Sequence, residues 1–146
     1  MVKGKYRIAY LAGFFDGEGC ITIQRRRNGK GRSYHYLEVQ VTNTDRFSLE
    51  LYRFTFGGNI NPLRDRRSPD HPGWLPRYIW QLEGKEAGEC LRTLLPYLGL
   101  KRPQAEVGIE FQEVKENKIH KRLTEEQIAV REAQRITLKA MKRQST

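Results

Sequence analysis

Two carboxylates stand almost side by side in Asp16-Gly17-Glu18-Gly19, closing a run of small and large apolar residues, Tyr10-Leu11-Ala12-Gly13-Phe14-Phe15. Ile8, Leu11, Ala12 and Phe15 recur at three- and four-residue intervals, which predicts one apolar stripe of a helix. Ala12 and Gly13 are small enough to let another backbone approach, and Gly19 is a natural stop signal. Asp16 and Glu18 then fall in the last turn, where the macrodipole is already negative and further negative charge is disfavoured. An acidic pair at that end calls for a compensating cation. Asp-Gly and Glu-Gly are also ordinary turn chemistry, so these residues alone leave both a metal site and a plain helix end open.

The composition narrows the partner. In 146 residues, Lys and Arg number 27 against 17 Asp and Glu, a formal net charge of +10. Such a surplus points to a polyanion, with nucleic acid ahead of a membrane surface. No apolar run approaches the roughly 20 residues of a bilayer span, and Met1-Val2-Lys3-Gly4-Lys5 lacks the apolar segment of a secretory signal. The expectation is an intracellular protein without a membrane partner. Cys20 and Cys90, with His35, His71 and His120 scattered singly, offer no zinc-ligand spacing and no local Cys-His nucleophile. Both cysteines are read as reduced thiols.

The elements that must position the acidic pair follow from periodicity. A helix fits Tyr6 to Gly17, and Cys20 to Arg27 switches to period two. After the turn Asn28-Gly29-Lys30-Gly31, Tyr34 to Asn43 alternates with Leu37, Val39 and Val41 on one face, which makes a hairpin. A second helix starts near Thr44 or Asp45 and ends at Gly57-Gly58. Asn59-Ile60-Asn61 opens a third strand, a basic loop spans Arg64 to Pro76, and Arg77 to Leu82 forms a fourth strand. A third helix covers Lys85 to Leu95. The order α-β-β-α-β-β-α predicts an α+β domain, a four-stranded antiparallel sheet with helices on one side. Helices from Gln104 to Lys115 and, opened by a Thr124/Gln127 capping box, to about Met141 complete one domain over 1–146, with a core over 6–115 and a helical extension over 116–146.

Each strand carries one apolar and one polar face. The polar set of the first hairpin is Thr22, Gln24 and Arg26, then Tyr34, Tyr36, Glu38, Gln40 and Thr42; Arg77 and Gln81 lie on the matching face of the fourth strand, and Arg64 and Arg66 in the basic loop. Arg, Gln and Thr can hold phosphates or read base edges, and a two-stranded ribbon fits the major groove. A solvated outer sheet face has the same pattern. The basic surplus favours DNA.

Taken whole, Leu11-Ala12-Gly13-Phe14-Phe15-Asp16-Gly17-Glu18-Gly19 resembles the signature of the LAGLIDADG homing endonucleases. Downstream, Val39-Gln40-Val41-Thr42-Asn43, Gly57-Gly58-Asn59-Ile60 and Leu95-Pro96-Tyr97-Leu98-Gly99-Leu100-Lys101-Arg102-Pro103-Gln104-Ala105 also resemble family segments. The resemblance runs from Tyr10 to about Ala105. It implies a homodimer of single-motif chains, the signature helices meeting at the axis through Leu11, Ala12, Gly13, Phe14 and Phe15, with the sheets forming a saddle over double-stranded DNA. Glu18, with the Gly17 carbonyl, falls where the family binds a divalent metal, and Mg²⁺ suits hard oxygen ligands at a phosphate. Asn43 falls where a polar residue organises water, Lys101 on the basic active-site residue, and Arg46 on a further basic position.

The activity so implied is metal-dependent hydrolysis of DNA phosphodiesters at a long, nearly palindromic target. The alternative implied by the same family is an RNA maturase or a DNA-binding regulator that does not cleave.

Overall fold

The computed structural model describes residues 4–27, 29–31, 33–63, 76–118 and 122–144. Arg64 and Arg66 of the basic loop lie outside them. Helix α1 (Lys5–Glu18) buries Ile8, Leu11, Ala12 and Phe15, the stripe read from the spacing. It runs without a linker into β1 (Gly19–Arg27), which pairs antiparallel with β2 (Ser33–Asn43) from Gly19↔Val41 to Arg27↔Ser33. Gly19 is not a left-handed helix stop: its backbone is extended, φ −78° and ψ 162°. Glycine is needed there because a Cβ would collide with the Phe15 ring. The chain turns from helix to strand by passing directly over that aromatic face.

Helix α2 (Arg46–Phe56) starts at the expected cap, where Asp45 accepts the Phe47 N–H at 3.1 Å and the Ser48 hydroxyl at 2.7 Å. Gly57 and Gly58, at φ 83° and 91°, end it in a conformation that favours glycine. Strands β3 (Asn59–Pro62) and β4 (Tyr78–Glu83) pair antiparallel, and β4 joins β2, so the sheet order is β1-β2-β4-β3. Helix α3 (Gly84–Leu94) leads through a 3-10 turn at Leu95–Tyr97 into α4 (Arg102–Glu116), and α5 (Glu125–Gln144) closes the chain. The expected capping box opens α5: the Thr124 N–H donates to Gln127 Oε1 at 2.9 Å, and the Gln127 N–H to Thr124 Oγ1 at 3.1 Å.

One core joins the helices to one face of the sheet, with Ile21, Ile23, Leu37, Val39, Val41, Trp80 and Leu82 meeting Leu11, Phe15, Leu49, Leu91 and Phe111. Tyr52 ties three elements together. Its hydroxyl donates to the Leu11 carbonyl at 2.6 Å, and its ring lies 4.8 Å from that of Trp80. Helix α5 contributes Leu138 to the same core and packs along the β1 edge, so it shields backbone that an edge strand would expose.

Candidate active site

Three of the residues singled out by type and spacing come to one end of the sheet. Gly19 pairs with Val41, so Glu18, the last residue of α1, sits at the same end as Asn43, the last residue of β2. Lys101 arrives from a distant segment, and Asp16 holds it there. The two oxygens of Asp16 accept the Gly99 N–H and the Lys101 N–H, each at 2.9 Å, while Lys101 Nζ donates to the Asp16 carbonyl at 2.7 Å.

That arrangement divides the acidic pair. Asp16 is half-buried and spends both oxygens on backbone N–H groups. Lys101 supplies a positive charge at the negative end of α1, whose own last turn has no basic residue. Glu18 is exposed, and among the described residues it has no hydrogen bond or ion pair to the protein. An open carboxylate beside helix-end carbonyls suits a hard cation, which the Gly17 carbonyl and Glu18 would hold. Among the described residues no cluster of three or more His, Cys, Asp or Glu could chelate a metal. At this end of the sheet the described residues therefore offer the Glu18 carboxylate and a few helix-end carbonyl oxygens.

Asn43 Oδ1 accepts the Asp45 N–H at 2.8 Å, which leaves its amide group as the donor it can present. Arg46 is not brought to Lys101. At the start of α2 it lies 3.5 Å from Glu50 and over the Tyr78 ring at 5.3 Å, an exposed helix-start arginine in a local pairing.

The polar sheet face is continuous. The register sets Thr22 opposite Glu38, Gln24 opposite Tyr36, Arg26 opposite Tyr34, and Gln40 opposite Gln81; Thr42 lies opposite Ile79, and Arg77 just precedes β4. Two members lie beneath the others. Tyr36 is 8% exposed and Glu38 6%. The Arg26 guanidinium covers the Tyr36 ring at 4.7 Å, and Gln24 Nε2 donates to Glu38 Oε1 at 3.4 Å. Burial pushes both the Glu38 carboxyl and the Tyr36 hydroxyl above their ordinary values. They support Arg26 and Gln24 more than they reach outward. Asn59 and Asn61 of β3, opposite Gln81 and Ile79, share this face and are exposed. The alternation Asn59-Ile60-Asn61 already carried that signal.

The helix face open to a partner differs from the expected one. Leu11, Ala12 and Phe15 have no exposed surface, because this chain's own core takes them. Of that set Gly13 is exposed and Phe14 half-buried, and Gly13 belongs to a stripe of Tyr6, Tyr10, Gly13 and Gly17 at four-, three- and four-residue spacing. Tyr6 is 86% and Tyr10 55% exposed, and a Cβ built on Gly13 or Gly17 meets nothing within 4 Å. Beside the stripe, Phe54 of α2 is exposed and lies under the Arg7 guanidinium at 5.3 Å. No described helix is long and apolar enough to cross a membrane.

Sequence reasoning missed a second charged cluster. Glu132 on α5 meets the buried His35 Nε2 at 2.8 Å, Arg135 Nε at 3.0 Å and Arg25 at 3.5 Å. Hydrogen bonds from Arg135 and then His35 hold its carboxyl down at about 2. Nothing local announces it, since His35 and Glu132 lie 97 residues apart.

No family model and no curated protein matches the chain. Solved structures do. The homing endonuclease I-CvuI, in complex with DNA and in the presence of Mg, superposes with a TM-score of 0.74 at 22% identity over 94% of this chain and 82% of that one. A second I-CvuI complex, with its own target and Ca, gives 26% identity and a TM-score of 0.63 over 77% of this chain and 69% of that one. The archaeal intron-encoded I-Vdi141I, complexed with DNA, gives a TM-score of 0.74 at 16% identity over 95% and 86%. The LAGLIDADG homing endonuclease I-SmaMI, bound to cleaved DNA, gives 0.70 at 20% identity over 92% of this chain but 45% of its own length. The chain has the fold of these homing endonucleases, as its signature segment led us to expect.

Proposed function

We propose that this protein is a site-specific homing endonuclease that hydrolyses double-stranded DNA, acting as a homodimer with a divalent metal. The observation that carries this reading is the convergence of an exposed Glu18 with no partner among the described residues, a tethered Lys101 and Asn43 at one end of a polar sheet face. The fold is that of endonucleases solved on DNA with Mg or Ca.

In this reading the sheet face tracks the groove and Arg26, Gln24, Gln40 and Gln81 contact phosphates and base edges. Glu18 and the Gly17 carbonyl hold the metal, for which Mg²⁺ is the natural choice at a phosphate. When bound, the ion supplies Lewis-acid polarisation of the scissile phosphate and a more acidic attacking water. Lys101 Nζ, already fixed at the end of α1, neutralises the charge that grows on the phosphoryl oxygens. Asn43 donates from its amide and orients the attacking water; it has no basic site to take a proton.

Two observations support the dimer. Among the described residues no cluster of three or more His, Cys, Asp or Glu stands beside Glu18 to complete a metal site, and α1 presents an aromatic and glycine stripe, Tyr6, Tyr10, Gly13 and Gly17, that admits close helix contact. Pairing through that stripe would set two Glu18 side chains near a common axis.

The test is incubation of the purified protein with Mg²⁺ and a randomised duplex library, followed by sequencing of new ends. The expected result is paired cuts at one long, nearly palindromic site, abolished by EDTA. Tight binding without any cut would instead assign the protein to the non-cleaving regulators of this fold.

A further inference from the structure

We infer that Asp16 is a positioning residue of the cleavage reaction, holding Lys101 in place through the main chain; this rests on the nuclease reading above. The contacts form a closed exchange between two segments. The side chain of residue 16 holds the main chain of residues 99 and 101, and the side chain of residue 101 holds the main chain of residue 16. Both ends of Lys101 are thereby fixed, its N–H on a carboxylate and its Nζ on a carbonyl.

The need for such a clamp follows from the side chain. Lysine carries its charge on a flexible four-carbon stem, and holding it in one rotamer is entropically costly. Hydrogen bonds to an ionised carboxylate are stronger than neutral ones, so Asp16 offsets that cost at the backbone. The neighbouring loop is braced too: Leu98 is buried, and Arg102 Nη2 donates to the Leu95 carbonyl at 3.0 Å. Each Asp16 oxygen already accepts an N–H, so Asp16 is the member of the acidic pair that the protein itself holds. Glu18, two residues on, is left to face the reaction. An asparagine at position 16 would keep the shape but turn an NH₂ toward one of the two N–H donors, and that half of the clamp would open.

The experiment uses the full chain, with the target recovered from the library. In Asp16→Asn, without metal or DNA, amide hydrogen exchange at Gly99 and Lys101 should speed up at least about tenfold, while Leu11 and Val39 stay unchanged. Cleavage should lose about 10²-fold in kcat, the cost of a misplaced group, with KM and the metal-free Kd for DNA within about twofold. The double variant Asp16→Asn/Lys101→Met should be no slower than Lys101→Met alone, because one residue acts through the other. Asp16→Glu keeps both oxygens and shifts them by a methylene; it should also lose kcat, which separates position from charge. Wild-type kcat in Asp16→Asn, or losses that multiply in the double variant, would overturn the assignment. A wild-type protein that cuts nothing would overturn the nuclease reading and the positioning role with it, whatever the exchange data show.

Discussion

Glu18 and Glu132 are the same residue type placed in opposite circumstances. Glu132, on the back of the first hairpin, is surrounded by His35, Arg25 and Arg135, and its carboxyl is held down at about 2. Glu18, at the end of α1, is exposed and without a partner among the described residues. A carboxylate that the fold has saturated locks two elements together and has no capacity left for a ligand. One that the fold leaves open beside a negative helix end adds nothing to stability, and its placement makes sense only with a cation from outside. Mutating Glu18 should therefore cost activity and leave stability, and mutating Glu132 should cost stability and leave activity.

The largest effect should come from Glu18→Gln. Cleavage should fall about 10³-fold or more, with DNA binding and thermal stability kept; gel-shift and single-turnover assays on one preparation check this. A variant that still nicks at the normal rate would remove the distinction between the two glutamates. Lys101→Met should follow, with about 10²-fold lost in kcat and little change in DNA affinity.

Glu132→Ala should act the other way, costing about 2 kcal/mol of unfolding free energy by urea titration, since it leaves charged donors and a buried imidazole unpaired. Cleavage per folded molecule should hold. The pH dependence sharpens the point. Because the folded state depresses the Glu132 pKa, its stabilisation is fully present above the ordinary carboxylate value of 4.5 and is lost as pH falls toward about 2. Wild type should lose more stability over that window than Glu132→Gln does, by thermal melts at matched ionic strength.

The smallest effect should come from Arg26→Ala. Arg26 is exposed, its pairing with Glu83 is loose at 4.0 Å and its contact with the Tyr36 ring lies at the surface, so folding should change by less than about 1 kcal/mol. The slope of log Kd against log salt for DNA should drop by about one.

Much of the architecture was legible because it rests on short-range rules. The three- and four-residue stripe of α1, the alternation in β1, β2 and β4, the Asp45 cap and the Thr124/Gln127 box are local patterns, and the structure keeps them except in β2, where Tyr36 and Glu38 of the polar face are buried as well. The boundaries moved by a residue or two, as at α3, which starts at Gly84, and α4, which starts at Arg102. Gly19 was legible as a special position but not for its reason, because only packing shows the Phe15 ring beneath it.

By itself, then, the sequence determined the order of elements, the two faces of each strand and the carboxylates at the end of the first helix. Tertiary structure alone decided which of those groups were already used. The core claimed Leu11, Ala12 and Phe15 and turned Tyr6, Tyr10, Gly13 and Gly17 outward. The loop at 99–101, some 83 to 85 residues along the chain, satisfied Asp16, while Glu18 stayed exposed with no partner among the described residues. The reason is physical: periodicity records which side of an element is apolar, whereas a carboxylate's state depends on whichever donors folding brings within hydrogen-bond reach.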